Sequence, residues 1–339
     1  MSHALPPLPN GADGFITRKD AVRLLPTRSV GAHKWGVGGV LMITGSPGYT
    51  GAAILSAMAA GRAGAGIVAV ATSRGIAGSL AITVPEAITL PLGDLEGAPG
   101  RKALEELTET LDKCHAVVVG PGLGDDEGTD ALMRALLAPP QARLAGGLGF
   151  AMPTRQAVEP GTQATGVLSS AGKPMVVDAD ALNWLAGQEE WWSLLPVRTA
   201  VLTPHPGEMA RLTDRPVEEI TSDPVTAARD AAMRWGQTVV LKHGHTVITD
   251  GTRTLVADDA PLSLATAGSG DVFAGMLGAF LAQGLSPFDA ATLATHVGGR
   301  AARRVESQFG TLGVVAGDLP AAIAAELALL EQEKGDHHV

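Results

Sequence analysis

The sequence predicts an α/β fold, a three-layer α/β/α arrangement around a central, mostly parallel sheet. Three observations predict it. Short apolar runs, VLMIT at 40–44, IVAVA at 67–71, HAVVV at 115–119, PMVV at 174–177, AVL at 200–202 and TVVL at 238–241, recur along the chain and read as strands buried on both faces. Helix-like segments lie between them, and a strand–helix–strand order implies parallel pairing. Glycine-, proline- or acid-bearing loops follow the strands, at the carboxyl edge where open α/β sheets place ligands.

Composition narrows the class. Of 339 residues, 45 % are hydrophobic and 18 % charged, enough for a large core and unlike a disordered chain. Aromatics are only 4 % and glycine numbers 43, which suits tight helix–sheet packing and backbone-lined loops. A net charge of −10 argues against a nucleic-acid partner, because neutralising its phosphates takes clustered Lys and Arg. A local phosphate site remains compatible, since backbone amides bind phosphate without net positive charge. Cys114 is the single cysteine and reads as a buried thiol, so an intrachain disulfide is excluded. The opening MSHALPPLPNG lacks a basic region followed by an apolar core. Residues 37–72 hold one charge, Arg62, but Pro47, many glycines and polar breaks argue against a membrane span. The expectation is a soluble, cytoplasmic protein, without a membrane partner, that forms a homo-oligomer.

Taken in order, residues 1–29 read as a loose arm and then a short helix at Arg18–Leu25. The loop Gly45–Gly51 joins the first strand to a buried helix, Ala52–Arg62. Glu86–Leu90 reads as a further strand and Ala103–Leu111 as a helix. Gly120-Pro121-Gly122-Leu123-Gly124 ends the strand at 115–119 and brings backbone close to a bound group. Residues 138–171, rich in Pro, Gly, Ala and Gln, read as an insertion inside a domain spanning 30–325. Trp184, Trp191 and Trp192 read as core or interface. A helix spans 224–235, and Asp250-Gly251 marks a hairpin between 247–249 and 254–256. Long helices follow at 287–304 and 319–333, with 326–339 expected as a polar tail.

Candidate chemistry gathers at the strand ends. Asp180 in DADALN is placed to support a metal or polar group, because a carboxylate at the end of a buried strand is expensive unless used or paired. His205 lies in TPHPGE, stiffened by Pro204 and Pro206 and followed by Glu208. Lys242 at the end of the strand 238–241 is placed to reach a nucleotide phosphate, with His243, Gly244, His245 and Thr246 beside it. Metal ligation by His243 and His245 is not expected. The strongest stretch is 264–283, LATAGSGDVFAGMLGAFLAQ, a glycine loop running into an apolar helix. Gly268, Ser269 and Gly270 point free N–H groups and a positive helix end at one spot, where an anion would sit. Asp271 stands beside that anion as a carboxylate able to take a hydroxyl proton, the competing reading being a plain helix cap. Gly275 and Gly278 let the helix pack closely.

These stretches together resemble the ADP/ATP-dependent NAD(P)H-hydrate dehydratase family, which has a ribokinase-like fold. The matching pieces are HKWGVGGVLMITGSPGYTGAAILSA at 33–57, GPGLG at 120–124, DADALN at 178–183, TPHPGE at 203–208, LKHGHT at 241–246 and AGSGDVFAGMLGAF at 267–280. The resemblance implies removal of water from hydrated NADH or NADPH at the expense of ADP or ATP with Mg²⁺ bound mainly through the phosphates. It implies Asp271 as catalytic base, Gly270 beside the phosphate and 242–246 on the AMP portion. Ala52, Gly122 or Gly124, and His205 fall on the hydrated dinucleotide. Two positions depart from the family's usual pattern: His243 follows Lys242 where glycine is usual, and Ala267 replaces a glycine. Some relatives carry an extra N-terminal epimerase domain; with motifs starting near His33, the dehydratase domain alone is expected. The alternative is a small-molecule kinase of the same fold acting on a vitamin-precursor alcohol. A noncatalytic nucleotide-binding protein is a second, disfavoured by Asp271. A dinucleotide oxidoreductase is disfavoured because no Gly-x-Gly-x-x-Gly opens the first unit.

Overall fold

A computed structural model describes residues 6–93, 101–137 and 166–336. Its strands are β1 (Gly14–Phe15), β2 (Gly39–Ile43), β3 (Ile67–Thr72), β4 (Ile88–Pro91), β5 (Ala116–Val119), β6 (Met175–Val177), β7 (Ala200–Leu202), β8 (Thr238–Leu241), β9 (Val247–Thr249) and β10 (Thr254–Val256). They form one sheet in the order β1-β10-β9-β8-β7-β6-β5-β2-β3-β4. Only β9 runs against its neighbours, through the hairpin expected at Asp250-Gly251. From β2 the chain builds outward to β3 and β4, then returns to place β5 on the other flank of β2. The loops after β2 and β5 therefore diverge at a topological switch point.

Strand alternation divides the core into two layers. Val40, Met42, Val118, Val176 and Val240 face the helices Thr50–Arg62, Ser269–Ala282 and Pro287–Phe309. Leu41, Ile43, Val117, Val177 and Val239 face Arg101–Lys113, Glu127–Leu137, Pro206–Thr213 and Pro224–Trp235. Burial on both faces explains why the strands read as unbroken apolar runs. Trp191 is 2 % exposed and packs 4.7 Å from Trp235 and 5.9 Å from Trp192, ring centre to ring centre. Cys114 is buried, and burial pushes its thiol up to about 11.

The helix Ser269–Ala282 presses against both strands and helix. A Cβ at Gly275 would stand 2.0 Å from the Ser56 carbonyl oxygen, and one at Gly278 would stand 2.3 Å from a Val118 methyl. Glycine is what allows this approach, at some cost in helix propensity.

The ends of the chain differ from the sequence expectation. The segment read as a loose arm supplies β1, which extends the sheet parallel to β10, and Ile16 is fully buried. Two residues carry too little pattern to read as a strand; backbone pairing holds them. The helix Leu319–Asp336 runs through the segment read as a polar tail, with Leu330 buried and Glu326 and Glu333 both paired to Arg18. Its acidic residues face a basic partner across the fold, information that local composition lacks. Of the insertion read at 138–171, residues 138–165 lie outside the described residues, and Val167–Ala171 is a short helix. No helix among the described residues is long and apolar enough to cross a membrane.

Gly275→Ala is expected to cost about 2 kcal/mol or more, because backbone must move to admit the methyl. Urea unfolding at neutral pH checks this; an unchanged midpoint would show that the two helices slide apart freely.

Candidate active site

Two loops meet at the switch point. Gly45 N–H donates to the Pro121 carbonyl at 2.9 Å, tying the β2 loop to the β5 loop. Gly122, at φ +65°, rests its backbone on Tyr49 and Ala52; a Cβ there would meet the Ala52 methyl at 2.6 Å. Ala52 is itself 8 % exposed at the start of its helix. Gly124, at φ +83°, donates its N–H to Asp180 Oδ2 at 2.8 Å. Asp180 thus holds the GPGLG loop in place, a duty to this chain's own backbone, where a metal or polar substrate group was expected.

His205 and Glu208 close the amino end of the helix Pro206–Thr213. The Gly207 N–H donates to His205 Nδ1 at 3.0 Å, and the His205 N–H donates to Glu208 Oε2 at 2.8 Å. This is a capping box with histidine as the cap. Glu208 Oε1 lies 3.6 Å from His205 Nε2; the histidine side chain is 53 % exposed and the glutamate 6 %. Burial raises the Glu208 carboxyl above its usual range, Lys242 opposes the rise, and Asp178 adds to it.

At the carboxyl end of β8, Lys242 Nζ donates to Asp178 Oδ1 at 2.8 Å, and the Thr203 hydroxyl donates to the same oxygen at 2.7 Å. Burial alone would lower the Lys242 pKa, but Asp178 and then Glu208 raise it overall, so it stays a cation. The glycine loop comes up beside this pair. A Cβ at Gly270 would stand 3.6 Å from Lys242 Nζ and 3.9 Å from Asp178 Oδ2. Gly268 is left-handed at φ +88°, and Ser269 Oγ anchors the loop on the Leu264 carbonyl at 2.7 Å. Asp271 enters on the first helical turn. Burial first, and the Asp178 charge second, push its carboxyl up to about 6 against the pull of Lys242.

A cavity of about 510 Å³ opens from this cluster, within the size range of small-molecule sites. Its lining includes the polar groups of His205, Lys242, His243, Gly244, Thr246, Ser269 and Gly270 and the apolar side chains of Leu264, Phe273, Met276, Leu319 and Ile323; Asp271, Ala52, Gly122 and Gly124 lie outside that lining. His245 is turned to structure instead, its Nδ1 2.8 Å from the Ala257 carbonyl oxygen. His243 is exposed, and Gly244 bends the chain at φ +49°.

Asp178 and Thr203 belong to this cluster, and neither stood among the expected site residues. The signal for Asp178 was present: it is the first carboxylate after β6, where an unpaired charge is costly. Its partner Lys242 lies 64 residues away in sequence, and only the β6-β7-β8 order brings the two together. No group of three His, Cys, Asp or Glu among the described residues is placed to hold a metal by itself. Asp178 Oδ2, beside Gly270, nevertheless fits a Mg²⁺ that arrives on phosphates, because Mg²⁺ binds through one or two carboxylates plus phosphate oxygens and water.

A carboxyl raised to about 6 binds its proton more tightly in the folded chain than in the unfolded one. Its contribution therefore falls as pH rises from about 4 to 6, and its ionised form destabilises the fold above that. Asp271→Asn is expected to raise stability at pH 8, by up to about 3 kcal/mol, with the gain vanishing near pH 4. Paired urea titrations of both proteins at the two pH values check it; equal stability at pH 8 would refute it.

A family model for NAD(P)H-hydrate dehydratase matches residues 40–168 and 147–325. Over 299 residues the chain is 38 % identical to the bifunctional NAD(P)H-hydrate repair enzyme Nnr of Salinibacter ruber, covering 87 % of this chain and 49 % of that protein. The chain spans about half the length of the curated relatives it matches. Among solved structures, a ribokinase-like superfamily protein from Enterococcus faecalis aligns with a TM-score of 0.76 at 21 % identity, over 97 % of this chain and 99 % of that one. The ADP/ATP-dependent NAD(P)H-hydrate dehydratase from Bacillus subtilis, co-crystallized with ATP/Mg²⁺, aligns at 0.72 and 23 % identity, over 94 % and 98 %. Those two likenesses show that the fold is ribokinase-like. The family match runs through the strands β2 to β10, both switch-point loops and the glycine-loop helix, and the chain belongs to the NAD(P)H-hydrate dehydratase family.

Proposed function

We propose that this chain dehydrates NADH or NADPH hydrated at C6 of the nicotinamide ring, using ADP or ATP as phosphate donor. The observation that carries the reading is Asp271 at the head of the glycine loop, its carboxyl raised to about 6 beside the buried Lys242–Asp178 pair. Asp271 takes the ring hydroxyl proton as the oxygen attacks the terminal phosphorus. Backbone amides at Gly268 and Gly270, with Lys242, stabilise the charge gathered on the transferring group; the Ser269 N–H, expected to be free, donates to the Thr266 carbonyl at 3.3 Å. The ring nitrogen lone pair then expels phosphate from C6. Asp178 would hold a Mg²⁺ that arrives with the nucleotide, and that ion would supply neutralisation of the phosphate charge. The apolar lining of the cavity takes the nucleoside and the 242–246 segment flanks its AMP portion. The hydrated ring lies against the Ala52–Gly122–Gly124 backbone, with His205 across from it. Both substrates are soluble nucleotides, and the proposed setting is the cytoplasm.

Recovery of dihydronicotinamide absorbance from hydrated NADPH, with Mg²⁺ and either ADP, ATP or no nucleotide, tests the reading. Nucleotide-dependent recovery is expected, with Asp271→Asn at least ~100-fold slower, the usual scale for losing a catalytic base. Below pH 6 the wild-type kcat/KM is expected to fall about tenfold per unit, because the base must be ionised. No recovery with either nucleotide, or a pH-independent rate down to pH 4.5, would overturn it; consumption of nucleotide on a vitamin-precursor alcohol would turn the reading to a kinase.

A further inference from the structure

The proposed reaction moves more than the hydroxyl proton. When phosphate leaves C6, the N1 lone pair forms an N1=C6 iminium. Restoring the dihydronicotinamide then needs the C5 proton to leave, so that the C5–H electron pair becomes the C5=C6 bond. The leaving group has a requirement of its own. A phosphate monoester dianion that departs without a proton leaves as a trianion, so the ring oxygen must regain a proton as the C6–O bond breaks.

Among the described residues, the carboxylates around the glycine loop each hold a protein group, with one exception. Asp178 Oδ1 takes both Lys242 and the Thr203 hydroxyl. Asp180 holds the Gly124 N–H. Glu208 is buried, with one oxygen on the His205 N–H and the other toward the ring. His205 Nδ1 accepts from Gly207, so the neutral ring carries its proton on Nε2 and has no free lone pair. Of these four carboxylates Asp271 is the one that receives no hydrogen bond from the described protein, and it stands beside Gly268, 3.9 Å from where a Cβ there would lie; the free base that lines the cavity, His243, is exposed on the segment that flanks the nucleotide.

We propose that Asp271 handles every proton of the reaction: it takes the hydroxyl proton, returns it to the same oxygen as the C6–O bond breaks, and then takes the C5 proton from the face that oxygen has left. This rests on the dehydratase reading above. The atoms balance. Phosphate leaves as hydrogen phosphate, the iminium electrons return to N1, and the last proton passes from Asp271 to solvent. No oxidant or reductant is involved. One carboxylate can serve because C5 and the C6 oxygen are on adjacent atoms, within reach of the same group.

Two measurements on the full chain test it. The first compares phosphate released with dihydronicotinamide formed, for wild type, Glu208→Gln and His205→Asn. A ratio of one is expected in all three, whatever the rates. Excess phosphate in either variant would overturn the proposal, because a missing C5 base leaves the iminium to be recaptured by water and phosphorylated again. The second uses wild type with hydrated NADH deuterated at C5, followed by proton NMR. Loss of the hydrogen cis to the C6 oxygen is expected, and loss of the trans hydrogen would overturn it. Absence of any nucleotide-dependent product from folded wild type would remove the dehydratase reading and this proposal with it, whereas product with trans loss removes this proposal alone.

Discussion

Everything at the carboxyl edge depends on how closely the helix Ser269–Ala282 approaches the helix Thr50–Arg62. The two meet backbone to backbone at Gly275 and Ser56, with Gly278 seated on Val118 of β5. A Gly- and Ala-rich interface of this kind has few rotamers to freeze and little room to shift, so position is set by main chain instead of side-chain interdigitation. That fixes the height of the glycine loop above the sheet. It also brings Gly268 against Leu55 and Ala316, so the helix Thr50–Arg62 and the turn before the last helix both bear on the same loop. The scarcity of aromatics follows from the same constraint, since large rings would hold these layers apart.

With the loop's height fixed, the charges around it are kept by pairing. Lys242 is 26 % exposed and Asp178 is 3 % exposed, and breaking such a pair leaves an uncompensated charge. Asp180 secures one glycine loop and Glu208 secures the helix that carries His205. These carboxylates hold backbone in place. Asp271 is the one left without a hydrogen bond, and the like charge of Asp178 adds to burial in raising its pKa. Structural and chemical duties are thus divided among residues of the same type by what each can reach.

Much of this was legible in the chain. The strands β2, β3, β5, β6, β7 and β8 were legible because burial on both faces leaves an unbroken apolar run, which does not depend on knowing the partner strand. The glycine-loop helix was legible because its start and its apolar face are local features. Asp178 carried a local signal as the first carboxylate after β6, but its pairing with Lys242, two strands further on, was hidden. β1 was hidden because two residues carry no period, and the paired end of the last helix because Glu326 and Glu333 meet Arg18 only in the fold. The placement of His245 on the Ala257 carbonyl was hidden for the same reason. What the sequence displays is burial pattern and local turn chemistry; what it conceals is which distant polar groups satisfy one another.

An acidic chain proposed to bind polyphosphates needs a source of local attraction, since its net charge is −10. Long-range steering cannot supply it, because fields between exposed charges fade over about 8–10 Å at ordinary salt. Among the described residues the one Lys or Arg lining the cavity, Lys242, is already matched by Asp178. The attraction left is that of the glycine-loop amides and the helix end behind them, fixed dipoles that reach only a few ångströms and cost no reorganisation when charge appears. Such a site discriminates by geometry: a phosphate is held where the amides converge and is indifferent elsewhere on the surface. The excess of acid over the rest of the molecule then works with the loop, because it discourages diffuse anion binding and leaves the converging amides to select by position.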